Sequence, residues 1–318
     1  MDNKLFSKPE QLNLFGETEQ ESIEKSLFDR FIIPPFSIFD SRQGYWQNRK
    51  KVWLSIGIKS EIGRDSKCYH IKDWADKKRE TGELSGSKLP SDVSVFDPVV
   101  CEIAYKWFNT RGGLIIDPFA GGSVRGVVAK KLGFDYIGFD LRQEQVDANY
   151  ENAKELNVDP KWICDDSTNL DKYVPNESAD MIFTCPPYYD LEIYSDDPND
   201  LSTMEYEQFD IAYQKIIEKC AKALKPNRFA VFVVGDVRDK DGFMVSLRAT
   251  TIKCFEKVGM RLYNDIVLAT SLASASIRAG TPMSVNRKIT KVHQYILVFY
   301  KGDTKTIKDN YKELDLDY

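Results

Sequence analysis

From about residue 96 onward the sequence predicts an α/β fold: a mainly parallel, doubly wound sheet of seven strands, preceded by an N-terminal extension. Three observations carry that prediction. Short runs of β-branched and aromatic residues alternate with longer segments of helical spacing. A glycine-rich turn stands directly between the first strand and the helix after it. The run Phe229 to Val234 is apolar throughout, as a strand covered on both faces should be.

Taken in order, a helix from Pro98 to Phe108 precedes the strand Gly113 to Ile116. A Gly-rich turn, a helix to about Leu132 and a capping Gly133 follow. The strand Tyr136 to Phe139 leads into a polar helix from Gln143 to Leu156, and Trp162 to Cys164 and Met181 to Phe183 read as further strands. Phe209, Ala212, Ile216, Cys220 and Leu224 recur at helical spacing, which predicts a long helix over 205–224. After Phe229 to Val234, a helix from Met244 to Val258 and the strands Ile266 to Ala269 and Tyr295 to Tyr300 complete the pattern. The expected division is a disordered tail over 1–25, a basic segment over 26–90, a catalytic domain over 91–301 and a C-terminal tail over 302–318. Within the basic segment a helix is expected around Ile71 to Lys78.

With 318 residues, 42% hydrophobic and 29% charged, the chain has the composition of an ordinary globular protein. No apolar run is long enough to span a membrane, and a cytoplasmic location is expected. Six scattered cysteines without a CxxC pair read as reduced thiols. Cys68 and His70 have no second pair at finger-like spacing, so no metal is expected. Two histidines give a nucleophilic triad little support. The net charge is -5, yet Arg42, Arg49, Lys50, Lys51 and Arg64 crowd one stretch and Arg278, Arg287, Lys288 and Lys291 another. These are candidate DNA-binding residues, although solvated surface of mixed sign would look the same.

Four features carry chemistry. Asp117-Pro118-Phe119-Ala120-Gly121-Gly122-Ser123 follows a strand and opens a helix, where glycines admit a ligand to the backbone and open α/β sheets bind. Asp140, with Leu141 beside it, ends the next strand and could accept two ribose hydroxyls or serve as a helix cap. Asp166-Ser167 ends the third strand and could meet an adenine edge or simply make a turn. Cys185-Pro186-Pro187-Tyr188 follows the fourth strand. Its prolines lack N–H donors and leave carbonyls free to accept. A base amine undergoing alkylation needs such acceptors, and Tyr188 offers a face for stacking.

The first and fourth motifs, in this order, resemble those of the DNA amino-methyltransferases of prokaryotes and phages, which modify N6 of adenine or N4 of cytosine. The resemblance covers about residues 96 to 301. It implies a Rossmann-like class I methyltransferase fold, S-adenosylmethionine as cofactor, DNA as partner, and a place in restriction-modification. Phe119 and Gly121 would line the cofactor pocket, Asp140 would hold ribose and Asp166 adenine. Cys185 stands where that family has Asp, Asn or Ser, which shifts weight to the Pro186 carbonyl because a thiol accepts weakly. Direct in-line transfer to a flipped base follows, with N6-adenine favoured over N4-cytosine. The rival readings are an RNA or protein-amide methyltransferase of the same fold and a non-catalytic DNA-binding relative. In the N-terminal tail, Gln11-Leu12-Asn13-Leu14-Phe15 resembles the peptide that docks bacterial proteins on the polymerase sliding clamp, so Gln11, Leu12, Leu14 and Phe15 are expected clamp contacts.

Overall fold

The structure, a computed structural model, describes residues 26–59, 96–188, 198–239, 241–272, 275, 279–311 and 314. It divides into two compact units, Met1–Pro35 and Phe36–Tyr318. In the first, the short helix α1 (Leu27–Phe31) starts with a reciprocal cap. The Asp29 amide donates to Ser26 Oγ, and the Asp29 carboxylate accepts from the Ser26 amide.

The second unit is an eight-stranded sheet with helices on its faces. In chain order come β1 (Ile38–Asp40), α2 (Gly44–Ser55), α3 (Pro98–Phe108), β2 (Leu114–Asp117), α4 (Val124–Lys131), β3 (Asp135–Asp140), α5 (Gln143–Glu155), β4 (Lys161–Cys164) and β5 (Ala179–Thr184). They are followed by α6 (Tyr206–Ala223), β6 (Leu224–Val234), the small hairpin β7 (Val237–Arg238) and β8 (Met244–Val245), α7 (Leu247–Lys257), β9 (Arg261–Ala269), α8 (Gly280–Asn286), β10 (His293–Lys301) and α9 (Ile307–Asn310). The strand order is β1-β9-β10-β6-β5-β2-β3-β4, with β10 antiparallel to both neighbours and every other pairing parallel. The chain runs outward from β2 to β4 on one side and from β5 to β6 on the other. The crevice between the carboxyl ends of β2 and β5 is therefore a topological switch point, where open α/β sheets bind ligands.

Local chemistry explains the elements that frame that crevice. β5 is buried along its whole length, as a central strand between two helical layers must be. On α6, Phe209, Tyr213, Ile216, Ile217 and Cys220 turn into the core at spacings of three and four. Helix α3 begins with Pro98 behind Asp97, whose carboxylate accepts from the Val99 amide at 3.0 Å. At the end of α4, Gly133 takes φ +78°, and the Phe134 amide reaches back to the Ala129 carbonyl at 2.9 Å.

The sheet has the expected class and the seven expected strands, and it adds an eighth. Residues 36–59, expected to belong to a separate basic segment, are built into the second unit. β1 pairs with β9 in register Ile38↔Val267 to Asp40↔Ala269. On α2, Trp46 is fully buried and donates from Nε1 to Asp97, while Arg49 and Trp53 both donate to the buried Glu102 of α3. The boundary expected at residue 91 falls elsewhere because these contacts join residues far apart in sequence. At the other end, residues expected in a tail are packed: Tyr311 lies 5.1 Å from the Phe229 ring, and Arg228 donates to Asn310. The helix expected from Met244 starts later, since Ser246 Oγ accepts from the Ala249 amide and begins α7 at Leu247. The expected helix around Ile71 to Lys78 lies outside the described residues.

Candidate functional site

At the switch point lies a cavity of about 930 Å³. One edge is formed by the loops after β2, β3 and β4. There Pro118, Phe119, Gly121, Asp140, Leu141, Asp166 and Ser167, all expected cofactor contacts, line the cavity. Gly121 takes φ +51°, a conformation that favours glycine, and its carbonyl accepts from Asn149 at 2.7 Å. Gly138 lets the loop approach β3: a side chain there would meet the Ala120 Cβ at 2.7 Å, and the Ala120 amide donates to the Phe139 carbonyl. Asp140 accepts from the Arg142 amide at 2.9 Å, directly before α5. Asp166 caps the 3-10 turn that follows β4, accepting from the Thr168 amide and hydroxyl at 2.8 Å each. Each aspartate thus orders a turn and lines the cavity, although the cap of α5 is Arg142 and not Asp140.

Four residues of the first motif do something else. Asp117, Ala120, Gly122 and Ser123 are not among the cavity-lining residues. Asp117 is wholly buried and accepts four hydrogen bonds, from the Phe119 amide (3.1 Å), Thr184 Oγ1 (2.6 Å), Arg125 Nε (2.6 Å) and Tyr136 Oη (2.8 Å). Ser123 donates to Asn152 at 2.7 Å. The cofactor-contact role expected of Asp117 therefore becomes one of positioning. Its carboxylate fixes the loop after β2 and, through Thr184, the residue immediately before Cys185.

Arg125, which sequence reading passed over as a helix residue, completes this network. Its guanidinium donates to Asp117 and to the carbonyls of Phe119 and Ala120, and lies 4.8 Å from the Phe96 ring centre. Burial would lower its pKa; the Asp117 carboxylate outweighs burial and holds it above its ordinary value. Tyr136 is pushed up by burial first and by Asp117 second, so its hydroxyl stays a donor.

Cys185, Pro186, Pro187 and Tyr188 form the facing edge, after β5. Tyr188 Oη accepts from Gln294 Nε2 at 2.6 Å and lies 3.3 Å from Cys185 Sγ. The Tyr188 ring rests against Gly235, where a Cβ would sit 3.4 Å from it. Gln294 lies on β10, 106 residues away, and no sequence signal pointed to it. At the far end of the cavity stand Phe96, Asp97 and Lys50, the last two paired at 3.1 Å.

The expected DNA-binding residues separate into groups. Lys288 lines the cavity, and Lys51 and Arg287 are exposed. Arg42 forms a forked pair with Asp40, whose carboxyl is held well below the usual range by that hydrogen bond. Arg49 forms another with Glu102, both bonds 2.6 Å long, and so fastens α2 to α3. Arg64, Arg278 and the clamp-peptide residues Gln11, Leu12, Leu14 and Phe15 lie outside the described residues. Among the described residues, no cluster of His, Cys, Asp and Glu could hold a metal ion, and no helix is long and apolar enough to cross a membrane.

Comparison with known proteins gives matches to part of the chain. Residues 179–318 match the DNA methylase family N6_N4_Mtase, a span that opens with β5 and contains the Cys185 turn. Over 116 residues, 34% of this chain, the sequence is 31% identical to the Type II beta methyltransferase M.BslI of a Bacillus species. Over 136 residues, 43% of the chain, it is 28% identical to the Type II methyltransferase M.BglII of Bacillus subtilis. The matched stretches span 12% and 34% of those two relatives. Among solved structures, TrmN from Thermus thermophilus is similar at 15% identity and a TM-score of 0.44, over 64% of this chain and 48% of that one.

Proposed function

We propose, from the match of residues 179–318 to the DNA methylase family, that this chain is an S-adenosylmethionine-dependent DNA methyltransferase acting on an exocyclic base amine. N6 of adenine is favoured over N4 of cytosine. The observation that carries this reading is a single cavity with a nucleoside-like lining on one edge and the Cys185 to Tyr188 turn on the other.

The residues present fit the cofactor. Asp140 and Asp166 offer carboxylates where a nucleoside's hydroxyls and amine would need acceptors. Phe119 and Leu141 supply apolar surface. When bound, S-adenosylmethionine supplies a sulfonium methyl group that an amine can take directly, without a covalent enzyme intermediate.

This chain's own groups position and polarise. The base turns out of the duplex into the cavity and lies against Tyr188, whose ring is backed by Gly235 and whose hydroxyl is held by Gln294. The Pro186 carbonyl and Cys185 Sγ accept the two amine N–H groups. That draws the nitrogen out of conjugation with the ring and directs its lone pair toward the methyl donor. The amine proton leaves late, so no strong general base is required. A cavity of about 930 Å³ has room for a base beside the cofactor.

The deciding experiment incubates the protein with methyl-labelled cofactor and duplex DNA and then digests the DNA to nucleosides. Label in N6-methyldeoxyadenosine is the expected result. Label in N4-methyldeoxycytidine would move the assignment to the other base, and absence of label with the cofactor bound would remove the reading altogether.

A further inference from the structure

The mouth of the cavity carries a feature that neither the cofactor nor the target base accounts for. Hairpin β7–β8 stands beside it, with Val237, Arg238 and Met244 lining the cavity. Phe243 is 74% exposed, the next residue Met244 is 49% exposed, and Ile289, which also lines the cavity, is 76% exposed. A lone exposed apolar side chain is ordinary; three around one opening mark a surface that meets something.

The tip is stiff. The Phe243 amide donates to the Asp239 carboxylate at 2.8 Å, and the Asp239 amide donates to the Phe243 carbonyl at 2.9 Å. Arg238 Nη1 braces the turn through the Gly242 carbonyl at 2.7 Å, and Gly242 takes φ +91°. Lys288 lies so close that a Cβ on Gly242 would meet its ammonium at 2.6 Å. Arg238 and Lys288 thus both lie against Gly242, the residue before the exposed Phe243 ring, and Asp239 and Asp241 carry charge of the opposite sign nearby.

An exposed aromatic side chain with cations close by, beside a cavity that the proposed function assigns to cofactor and flipped base, matches the demands of duplex DNA with one base removed. Extruding a base leaves a gap in the stack, and an apolar side chain inserted there recovers part of the lost stacking. We propose that Phe243 is the wedge that enters the duplex when the target base turns into the cavity, with Arg238 and Lys288 holding the phosphates on either side. This rests on the methyltransferase reading above and adds to it the element that opens the helix.

The test begins by mapping methylated positions on plasmid DNA treated with the intact chain. Short duplexes carrying the mapped site are then prepared with either the normal pair or a mismatch at the target base. Phe243→Ala lowers kcat/KM on the paired duplex by about tenfold or more and on the mismatched duplex by no more than about twofold, because a weakened pair costs less to open. Phe243→Trp keeps the wild-type preference. Equal losses on both duplexes, or no loss on the paired one, would overturn the wedge. If the wild-type chain methylates no DNA at all, the parent reading falls and the wedge falls with it.

Discussion

Along the β2–β4 edge of the cavity, the groups that shape the loops are sealed inside the protein. Asp117 is fully buried and accepts four hydrogen bonds, and Arg125 is 5% exposed. Along the β5–β10 edge, the Cys185 turn, Tyr188, Gln294 and hairpin β7–β8 line the cavity, mostly with side chains that are less than fully buried, beside exposed apolar residues such as Phe243 and Ile289. The contrast fits two different tasks. A small, invariant cofactor is best met by a preformed lining, whereas a base drawn from a duplex needs a surface that DNA can reach. Thr184 joins the edges, since its hydroxyl donates to Asp117 while its carboxyl neighbour is Cys185.

The sharpest way to break that contrast is Asp117→Ala. It strands a buried guanidinium, and removing one partner of such a pair costs about 3–5 kcal/mol. Urea unfolding should register a loss of that size, and a loss under about 1 kcal/mol would show that the network does not hold the loop. Tyr188→Ala should lower kcat about 10- to 100-fold, the equivalent of one lost stacking contact, with cofactor affinity unchanged. Cys185→Ser should retain much of the activity, because a hydroxyl accepts at least as well as a thiol. The reverse order of those two effects would refute the roles assigned along this edge. Asp140→Ala should weaken cofactor binding about tenfold by calorimetry, with kcat at saturating cofactor little altered. Equal losses of kcat would mean that Asp140 works beyond its own edge.

The smallest expected effect lies away from both edges. At the amino end of β5, Asp180 is paired with Lys225 and Arg228 and accepts from the Leu114 amide. Burial would raise its pKa, but these partners together hold it below the ordinary 3.8. A carboxyl depressed in the folded state contributes stability above its unfolded pKa, and that contribution is lost as pH falls through the folded value. Acid unfolding below about pH 4 should therefore draw on Asp180. Lys225→Gln should move the acid midpoint to higher pH while leaving methyl transfer at neutral pH unaffected.

Much of this was legible in the sequence, for identifiable reasons. Alternating periodicities marked the strands, and the residue types at or just past the strand ends are ones that line the cavity: Gly121 after β2, Asp140 at the end of β3, Asp166 after β4 and Cys185 to Tyr188 after β5. A motif at the carboxyl end of a parallel strand has nowhere to be except at the sheet's ligand edge. The family match covers only residues 179–318, so the Asp117 loop is tied to the site by the fold itself. The hidden parts depended on partners distant in the chain. Arg49 looked like a DNA contact until Glu102, 53 residues on, took up its fork. β1 is three residues long and acquires its meaning only from β9.

The sequence by itself determined the order of strands and helices and the chemical types at the ends of the strands, because periodicity and turn chemistry are local. Only the tertiary structure decided which of those groups face the cavity and which face one another. Asp117 and Asp140 both end a strand of the same sheet, yet the first is enclosed by Arg125, Tyr136 and Thr184 while the second lines the cavity. The physical reason is that burial and pairing are settled by residues brought together from across the fold, and no local pattern records them.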